Sequence, residues 1–129
     1  MRALLDTHAF LWFNFDDMRL SRRVRTLVSD GDNDLFVSSV SAWEIAIKYA
    51  LKRLPEVTQP PESYVPLRLA YYGFLPLDIG IAHALRAGAL PLLHRDPFDR
   101  LLVAQAQLEG LPILTSDPNI ARYGVEVIW

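Results

Sequence analysis

The sequence predicts an α/β fold built around a mainly parallel β-sheet. Short apolar runs with the length of buried strands alternate along the chain with longer runs whose apolar residues have helical spacing. Proline, glycine and capping residues separate most of these runs. Such alternation is typical of βαβ units, in which helices cover the faces of a parallel sheet.

Five short runs predict the strands, because each is rich in large apolar residues and is bounded by turn residues or acids. In chain order they are residues 2–6, 35–38, 74–77, 112–115 and 125–129. The third run contains Pro76, which cannot donate a hydrogen bond to a neighbouring strand. We therefore expect this strand at an edge of the sheet or at a strand end.

Helices are predicted between the strands from apolar spacing and from residues that begin or end a helix. In chain order they are residues 8–15, a helix capped by Ser21 and stopped by Gly31, one from Ser41 to Pro55, one from Pro61 to Gly73, residues 79–87 closed by Gly88, one from Asp96 to Gly110, and a short turn at 120–123. The helix after Asp96 is the clearest, because Asp96 is a favourable N-cap and Pro97 fits the first helical position.

Length and composition predict one compact domain over residues 1–129, because 51% of the residues are hydrophobic and a chain of this size can bury a core. The absence of cysteine excludes disulfides, thiolate metal sites and cysteine nucleophiles, and it suits a reducing cytoplasm. No apolar run approaches the roughly 20 residues that a membrane span needs. A cytoplasmic protein without a membrane segment is expected.

The net charge of -2 argues neither for nor against a polyanionic partner. Arginines that could contact phosphate do occur, although each of them also fits a solvated helix face. They are Arg19, Arg22, Arg23 and Arg25 in one group, with Arg86 and Arg95 as further candidates.

Four acids stand where the predicted fold would bring them together. Asp6 and Asp117 directly follow strands, and the carboxyl ends of parallel strands form the rim at which ligands bind. Glu44 and Asp99 lie in the predicted first turns of two helices whose starts can face the same rim. Each acid alone also fits a local role: Asp6 and Asp117 as a cap or turn residue, Glu44 and Asp99 at a helix N-terminus.

The four acids together indicate a metal site. Carboxylates crowded into one pocket repel one another unless they take up protons or share a cation. Mg²⁺ and Mn²⁺ prefer oxygen ligands, and such a cation can activate water and stabilise charge on a phosphodiester. The sequence therefore favours a metal-dependent nuclease.

Histidines contribute less to this interpretation. The chain has three, at positions 8, 83 and 94, without a pair at helical spacing, which argues against a zinc site. His94 is interpreted as a residue that either orients its loop or contacts substrate. Neither a Ser-His-Asp nucleophile motif nor a glycine-rich phosphate loop is present.

Four segments spread over the whole chain resemble the PIN-domain family, and within it the VapC-type toxins of bacterial toxin–antitoxin pairs. The run from His94 to Ala106 is the most specific of them. They are Leu4-Leu5-Asp6-Thr7-His8, Ser41-Ala42-Trp43-Glu44-Ile45, His94 to Ala106, and Leu114-Thr115-Ser116-Asp117. The resemblance implies an α/β/α sandwich, a Mg²⁺- or Mn²⁺-dependent endoribonuclease activity on RNA, a homodimer, and a small antitoxin that covers the acidic pocket.

The resemblance also assigns roles to individual residues. Asp6 and Asp99 are expected to hold the catalytic cation, and Glu44 to position the cation or the attacking water. Asp117 matches a position that the family fills less consistently, so its role as a ligand is provisional. Supporting roles fall to Thr7, Thr115 and Ser116, whereas Asp96 is expected to cap its helix rather than bind metal.

Two other functions are compatible with the pattern. One is a non-catalytic PIN-like module that binds RNA or protein. The other is a phosphoacceptor receiver domain, which shares the size and the acidic rim. Receivers resemble one another in having paired acids after the first strand and a lysine after the last strands. Here Thr7 and His8 follow Asp6, and both lysines, Lys48 and Lys52, belong to the predicted third helix.

Overall fold

The computed structural model describes residues 1–129 and contains five strands and seven helices. In chain order they are β1 (Arg2–Leu5), α1 (Thr7–Phe15), α2 (Arg22–Ser29), β2 (Asp34–Ser38), α3 (Ser39–Ala50), α4 (Pro61–Tyr72), β3 (Leu75–Leu77), α5 (Ile81–Ala89), α6 (Pro97–Glu109), β4 (Ile113–Leu114), α7 (Pro118–Ala121) and β5 (Val127–Ile128). No helix combines the length and the apolar character that crossing a lipid bilayer requires.

All five strands are parallel and follow the order β3-β2-β1-β4-β5, with β1 at the centre. The strand order changes direction at β1, because the chain first builds outward to β2 and β3 and later adds β4 and β5 on the other side. β3 is an edge strand, as its proline predicts, and Pro76 lies opposite Val37 of β2.

The two faces of the sheet bury separate sets of apolar side chains, which makes the fold a three-layer α/β/α sandwich. On β1, Ala3 and Leu5 pack into one core and Leu4 packs into the other. This alternation is expected because successive side chains of a strand point to opposite faces. Helices α1, α2 and α4 cover the face of Leu5, whereas α6 and α7 cover the face of Leu4.

Several predicted helix boundaries were wrong: α3 ends at Ala50 and not at Pro55, α5 starts at Ile81 and not at 79, and the last helix is Pro118–Ala121 and not 120–123. The start of α3 differs as well. The hydroxyl of Ser38 caps α3 by accepting a hydrogen bond from the backbone N–H of Val40, so this helix starts at Ser39 and not at Ser41. Three serines precede the apolar stripe here, and the sequence alone does not distinguish which of them is the cap. Glu44 consequently lies in the second turn of α3, and Lys52 falls just beyond its end with a positive φ.

Helix α5 also differs from its prediction, because Gly88 lies inside the helix and Ala89 is its last residue. The next residue, Leu90, has an extended conformation with ψ 148°. Leu90 precedes Pro91, and the ring of a proline disfavours the helical conformation in the residue before it. The proline ends the helix, and the glycine does not.

Candidate active site

The candidate site lies at the carboxyl end of the sheet, where the strand order changes direction. Asp6 directly follows β1, and Asp117 follows the neighbouring strand β4 after two residues. Glu44 reaches this rim from α3 and Asp99 from the first turn of α6. The position agrees with the general rule that ligands bind beside the switch point of an open parallel sheet.

These four acids line one cavity of about 150 Å³, and none of the residues that line it is hydrophobic. The structure thus brings together every acid that the sequence singled out. The lining residues are Asp6, Thr7, His8, Glu44, Lys48, His94, Asp96, Asp99 and Asp117.

Asp6 has a structural contact as well as a place in the cavity. Its Oδ1 accepts a hydrogen bond of 2.7 Å from the backbone N–H of Ala9, so it caps α1. Burial raises the pKa of the Asp6 carboxyl, and the negative charge of Glu44 raises it further. A hydrogen bond from the Thr115 hydroxyl and the one from Ala9 act in the opposite direction.

Glu44 is 8% exposed and forms an ion pair with Lys48, one helical turn later, with 2.8 Å between Oε2 and Nζ. The lysine supplies a positive charge at the wall of an otherwise acidic cavity. A buried carboxylate needs such a partner, because an unpaired charge is strongly disfavoured away from water.

Asp99 pairs with His94 across 2.9 Å between Oδ2 and Nε2. Burial raises the pKa of Asp99 to about 7, and the charges of Asp96 and Asp117 act in the same direction. The hydrogen bond with His94 opposes that shift. Near neutral pH both the protonated and the ionised form of this carboxyl are therefore populated.

Asp96 caps α6 as the sequence predicts, because its Oδ1 accepts hydrogen bonds from the backbone N–H groups of Phe98 and Asp99. Asp117 caps the short helix α7 in the same way, accepting from Asn119. Both acids also line the cavity. A capping role and a place at the site are therefore compatible in one residue.

The residues predicted to support the site differ in their placement. The Thr7 hydroxyl donates to the hydroxyl of Ser41 over 2.9 Å and so ties α1 to α3. Thr115 is buried, and its oxygen accepts from the backbone N–H of Asp117. Ser116 is exposed and does not line the cavity.

The donor set fits a divalent cation. One ligand atom each from His94, Asp99 and Asp117 lies within 4.8 Å of the other two. Asp6 and Glu44 line the same cavity without belonging to that group. The raised pKa values of Asp6 and Asp99 reflect burial and crowded negative charge, which a cation would relieve.

Lys48 and His94 contact site acids but were not among the predicted site residues. Lys48 stands four residues after Glu44, which is the spacing of an ion pair on a helix and could have identified it. His94 precedes Asp99 by five residues in a loop, and no helical or strand periodicity predicts that their side chains meet.

The chain is similar to known proteins of one family. Residues 3–126 match the model of the PIN domain family. A segment of 59 residues is 46% identical to Ribonuclease VapC16 of Mycobacterium tuberculosis (strain ATCC 25618 / H37Rv), and this match covers 46% of the chain and 41% of that protein. The match therefore spans less than half the length of this curated relative.

Two solved structures share the fold. VapBC2 from Rickettsia felis, crystallised with a DNA fragment from its promoter, superposes with a TM-score of 0.68 at 15% identity, covering 99% of this chain and 98% of that one. FitAcB from Neisseria gonorrhoeae has a TM-score of 0.61 at 17% identity, covering 100% and 97%. With the family match over nearly its whole length, the chain belongs to the PIN domain family.

Proposed function

We propose that the protein is a Mg²⁺- or Mn²⁺-dependent endoribonuclease and acts as the toxin of a bacterial toxin–antitoxin pair. The observation that carries the proposal is the meeting of Asp6, Glu44, Asp99 and Asp117 in one polar cavity at the switch point of the sheet. RNA as the substrate is supported by the partial match to a relative that is named a ribonuclease.

In this proposal Asp6, Asp99 and Glu44 hold the cation, and Asp117 supports the site or a second cation. A bound divalent cation would activate a water molecule and stabilise negative charge on the attacked phosphodiester. Glu44 would orient the attacking water after its ion pair with Lys48 has broken. His94 Nε2, 2.9 Å from Oδ2 of Asp99, would hold that carboxylate in place.

The biological role as a toxin is supported by the relatives. The partial sequence match is to a protein named VapC, and a VapBC2 assembly shares the fold. We infer a cognate antitoxin that inhibits the protein by covering the acidic cavity. Cellular RNA as the substrate implies action in the cytoplasm.

Besides the complex with an antitoxin, we propose that the protein forms a homodimer. On α5, Ile81 is 82% exposed and Leu85, one turn later, is 71% exposed. Adjacent exposed apolar side chains are typical of surfaces that associate. If α5 carries the contact, Leu85→Glu will give a monomer in light scattering where the unchanged protein gives a dimer. A dimeric Leu85→Glu protein would exclude this helix.

Cleavage of a fluorogenic single-stranded RNA tests the activity. We expect turnover with Mg²⁺ or Mn²⁺ and none with EDTA. In the Asp6→Asn protein, cleavage should fall by about a hundredfold or more, because several kcal/mol of charge stabilisation depends on the cation that this carboxylate holds. The asparagine oxygen can still accept from Ala9, so the thermal midpoint should stay close to its original value.

Asp32→Asn is the matched control, since Asp32 is an exposed acid outside the cavity. Undiminished metal-dependent cleavage by the Asp6→Asn protein would overturn the site assignment. An unchanged protein that binds RNA but does not cleave it with either metal would instead support the non-catalytic module. The family match does not support the phosphoacceptor receiver domain. Formation of an aspartyl phosphate from a small phosphodonor would support it.

A further inference from the structure

A second cavity of about 300 Å³ lies beside the acidic one, between α1 and the segment that follows α3. His8 and Lys48 line both cavities, so the two adjoin at these side chains. We call the second cavity the basic groove. The side chains that matter for its chemistry are His8, Trp12, Arg19, Lys48, Arg53 and Glu56.

Three cations line the basic groove, and Arg53 is the one without an ion-pair partner. Arg53 is exposed and makes neither an ion pair nor a side-chain hydrogen bond. Lys48 stands at the boundary with the acidic cavity, where its ammonium contacts Glu44. Arg19 is held by Asp17 over 2.8 Å and lies over the ring of Trp12 at 4.6 Å. Glu56 is the only acid that lines the groove.

The groove also carries a ring positioned for stacking. The imidazole of His8 lies on the indole of Trp12, with 5.3 Å between ring centroids and 17° between planes. His8 is exposed, and its side chain makes no hydrogen bond within the protein. Exposed aromatic rings next to cations are the arrangement with which proteins bind unpaired nucleotides, because every base offers a face for stacking.

We propose that the basic groove binds the nucleotide adjacent to the scissile phosphate of a single-stranded RNA. Its base stacks on His8, and its phosphate contacts Arg53 and Lys48. Because His8 and Lys48 line both cavities, one RNA strand can occupy the groove and the acidic cavity together. The inference rests on the proposed function, since it takes the acidic cavity as the place of cleavage.

The arginines of α2 lie outside this arrangement. Arg22 and Arg23 are exposed on α2 and line neither cavity, and Arg25 is paired with Asp16. Arg53 lines the basic groove, whereas Arg22 and Arg23 do not. This difference supplies a matched control for the experiment.

The test is the affinity of a fluorescently labelled single-stranded oligoribonucleotide for the full chain in EDTA, measured by anisotropy at several salt concentrations. EDTA separates binding from cleavage. Arg53→Glu should weaken binding by about tenfold or more and reduce the slope of log affinity against log salt by about one, as expected for a lost phosphate contact. Arg53→Lys and Arg23→Glu should bind within about twofold of the unchanged protein, because each keeps the charge of the groove.

A second pair of variants tests the stacking contact. His8→Ala should weaken binding by about fivefold or more, whereas His8→Phe should retain it, because only a ring can stack on the base. RNA affinity that is unchanged in the Arg53→Glu protein would overturn the proposal and leave a protein partner as the occupant of the groove. If RNA binding depends on Arg53 but neither metal supports cleavage, the nuclease function fails and the groove remains an RNA site.

Discussion

The imidazole Nε2 of His94 lies 2.9 Å from Oδ2 of Asp99, and both side chains are largely buried at the wall of the acidic cavity. Despite this contact, burial raises the pKa of Asp99 to about 7. The proton on this carboxyl thus substitutes for a cation when none is bound. Metal binding and proton release are coupled in such a site, because only the ionised carboxylate is a ligand.

The raised pKa of Asp99 predicts how the stability of the metal-free protein depends on pH. The folded state holds this proton up to about pH 7, whereas an unfolded carboxyl releases it near 3.8. The resulting stabilisation is fully present below pH 3.8 and is lost as the pH rises through 7. Burial also raises the pKa of Asp6, so this carboxyl changes the stability with pH in the same sense.

In EDTA, the thermal midpoint of the unchanged protein should therefore fall between pH 5 and pH 8, and Asp99→Asn should flatten that decline. Mn²⁺ added at pH 8 should restore the midpoint of the unchanged protein far more than that of the variant. Asp32→Asn, on the exposed surface, should behave as the unchanged protein does. An Asp99→Asn protein with an undiminished pH slope would show that another group causes the effect.

The ion pair between Lys48 and Glu44 predicts competition between the lysine and a divalent cation. Lys48→Met keeps most of the apolar stem and removes the charge. Mn²⁺ should then bind about three- to tenfold more tightly, because Glu44 is released and a like charge is gone. Calorimetric titration with Mn²⁺ measures this directly.

Lys52→Met is the control for that titration, since Lys52 is exposed and lines neither the acidic cavity nor the basic groove. Its Mn²⁺ affinity should equal that of the unchanged protein. Unchanged or weaker Mn²⁺ binding by the Lys48→Met protein would mean that the lysine does not oppose the cation.

The acids of the site could be predicted from sequence because their placement follows from local rules. Asp6 and Asp117 follow apolar strands, and parallel strands bring their carboxyl ends to one rim. The N-cap role of Asp96 follows from the proline after it and from the helical spacing beyond. A short segment contains all the information that each of these predictions needs.

Contacts between distant or irregular segments could not be predicted in this way. The ring of His94 reaches Asp99 only because the loop before α6 folds back over the first turn of that helix. The basic groove forms where α1 meets the segment beyond α3, and Arg53 has no sequence motif that marks it. Tertiary packing decides both, and local periodicity carries no information about it.

Gln105 predicts a cost in stability that is separate from the site. Its side chain is completely buried, accepts from the Ser38 hydroxyl at 2.5 Å, and donates to the carbonyl groups of Leu77 and Asp78. Gln105→Leu removes the acceptor of the Ser38 hydroxyl and the donor to both carbonyl groups, and it should lower the free energy of unfolding by about 1–3 kcal/mol. Urea denaturation measures the change.

Gln59→Leu serves as the control, since Gln59 is exposed in the loop before α4 and should change stability by less than about 0.5 kcal/mol. Mn²⁺ affinity should be preserved in the Gln105→Leu protein at a temperature where it is folded, because this side chain does not line the acidic cavity. Loss of Mn²⁺ binding in the folded variant would show that the core contact and the site are coupled.

Arg100 organises the loop that carries His94. Its guanidinium donates to the carbonyl groups of Pro91 at 2.9 Å, Ala87 at 2.7 Å and Leu90 at 3.1 Å, and to the Tyr123 hydroxyl at 3.2 Å. One planar group with several donors can bridge these acceptors, whereas a lysine ammonium cannot reach them together. The loop therefore depends on the guanidinium itself and not only on its charge.

Arg100→Lys should increase amide hydrogen exchange in residues 90–94. It should also lower the proposed RNA cleavage by about tenfold or more, since displacing His94 moves Asp99, a proposed metal ligand. Arg86→Lys is the matched control: Arg86 makes one exposed hydrogen bond to Gln107 and should affect neither measurement. Exchange in residues 90–94 that is unchanged in the Arg100→Lys protein would mean that the loop is held by the contacts of Arg122 and Tyr123 with Leu93 and His94 instead. Increased exchange without loss of cleavage would show that the position of His94 is not needed for the reaction.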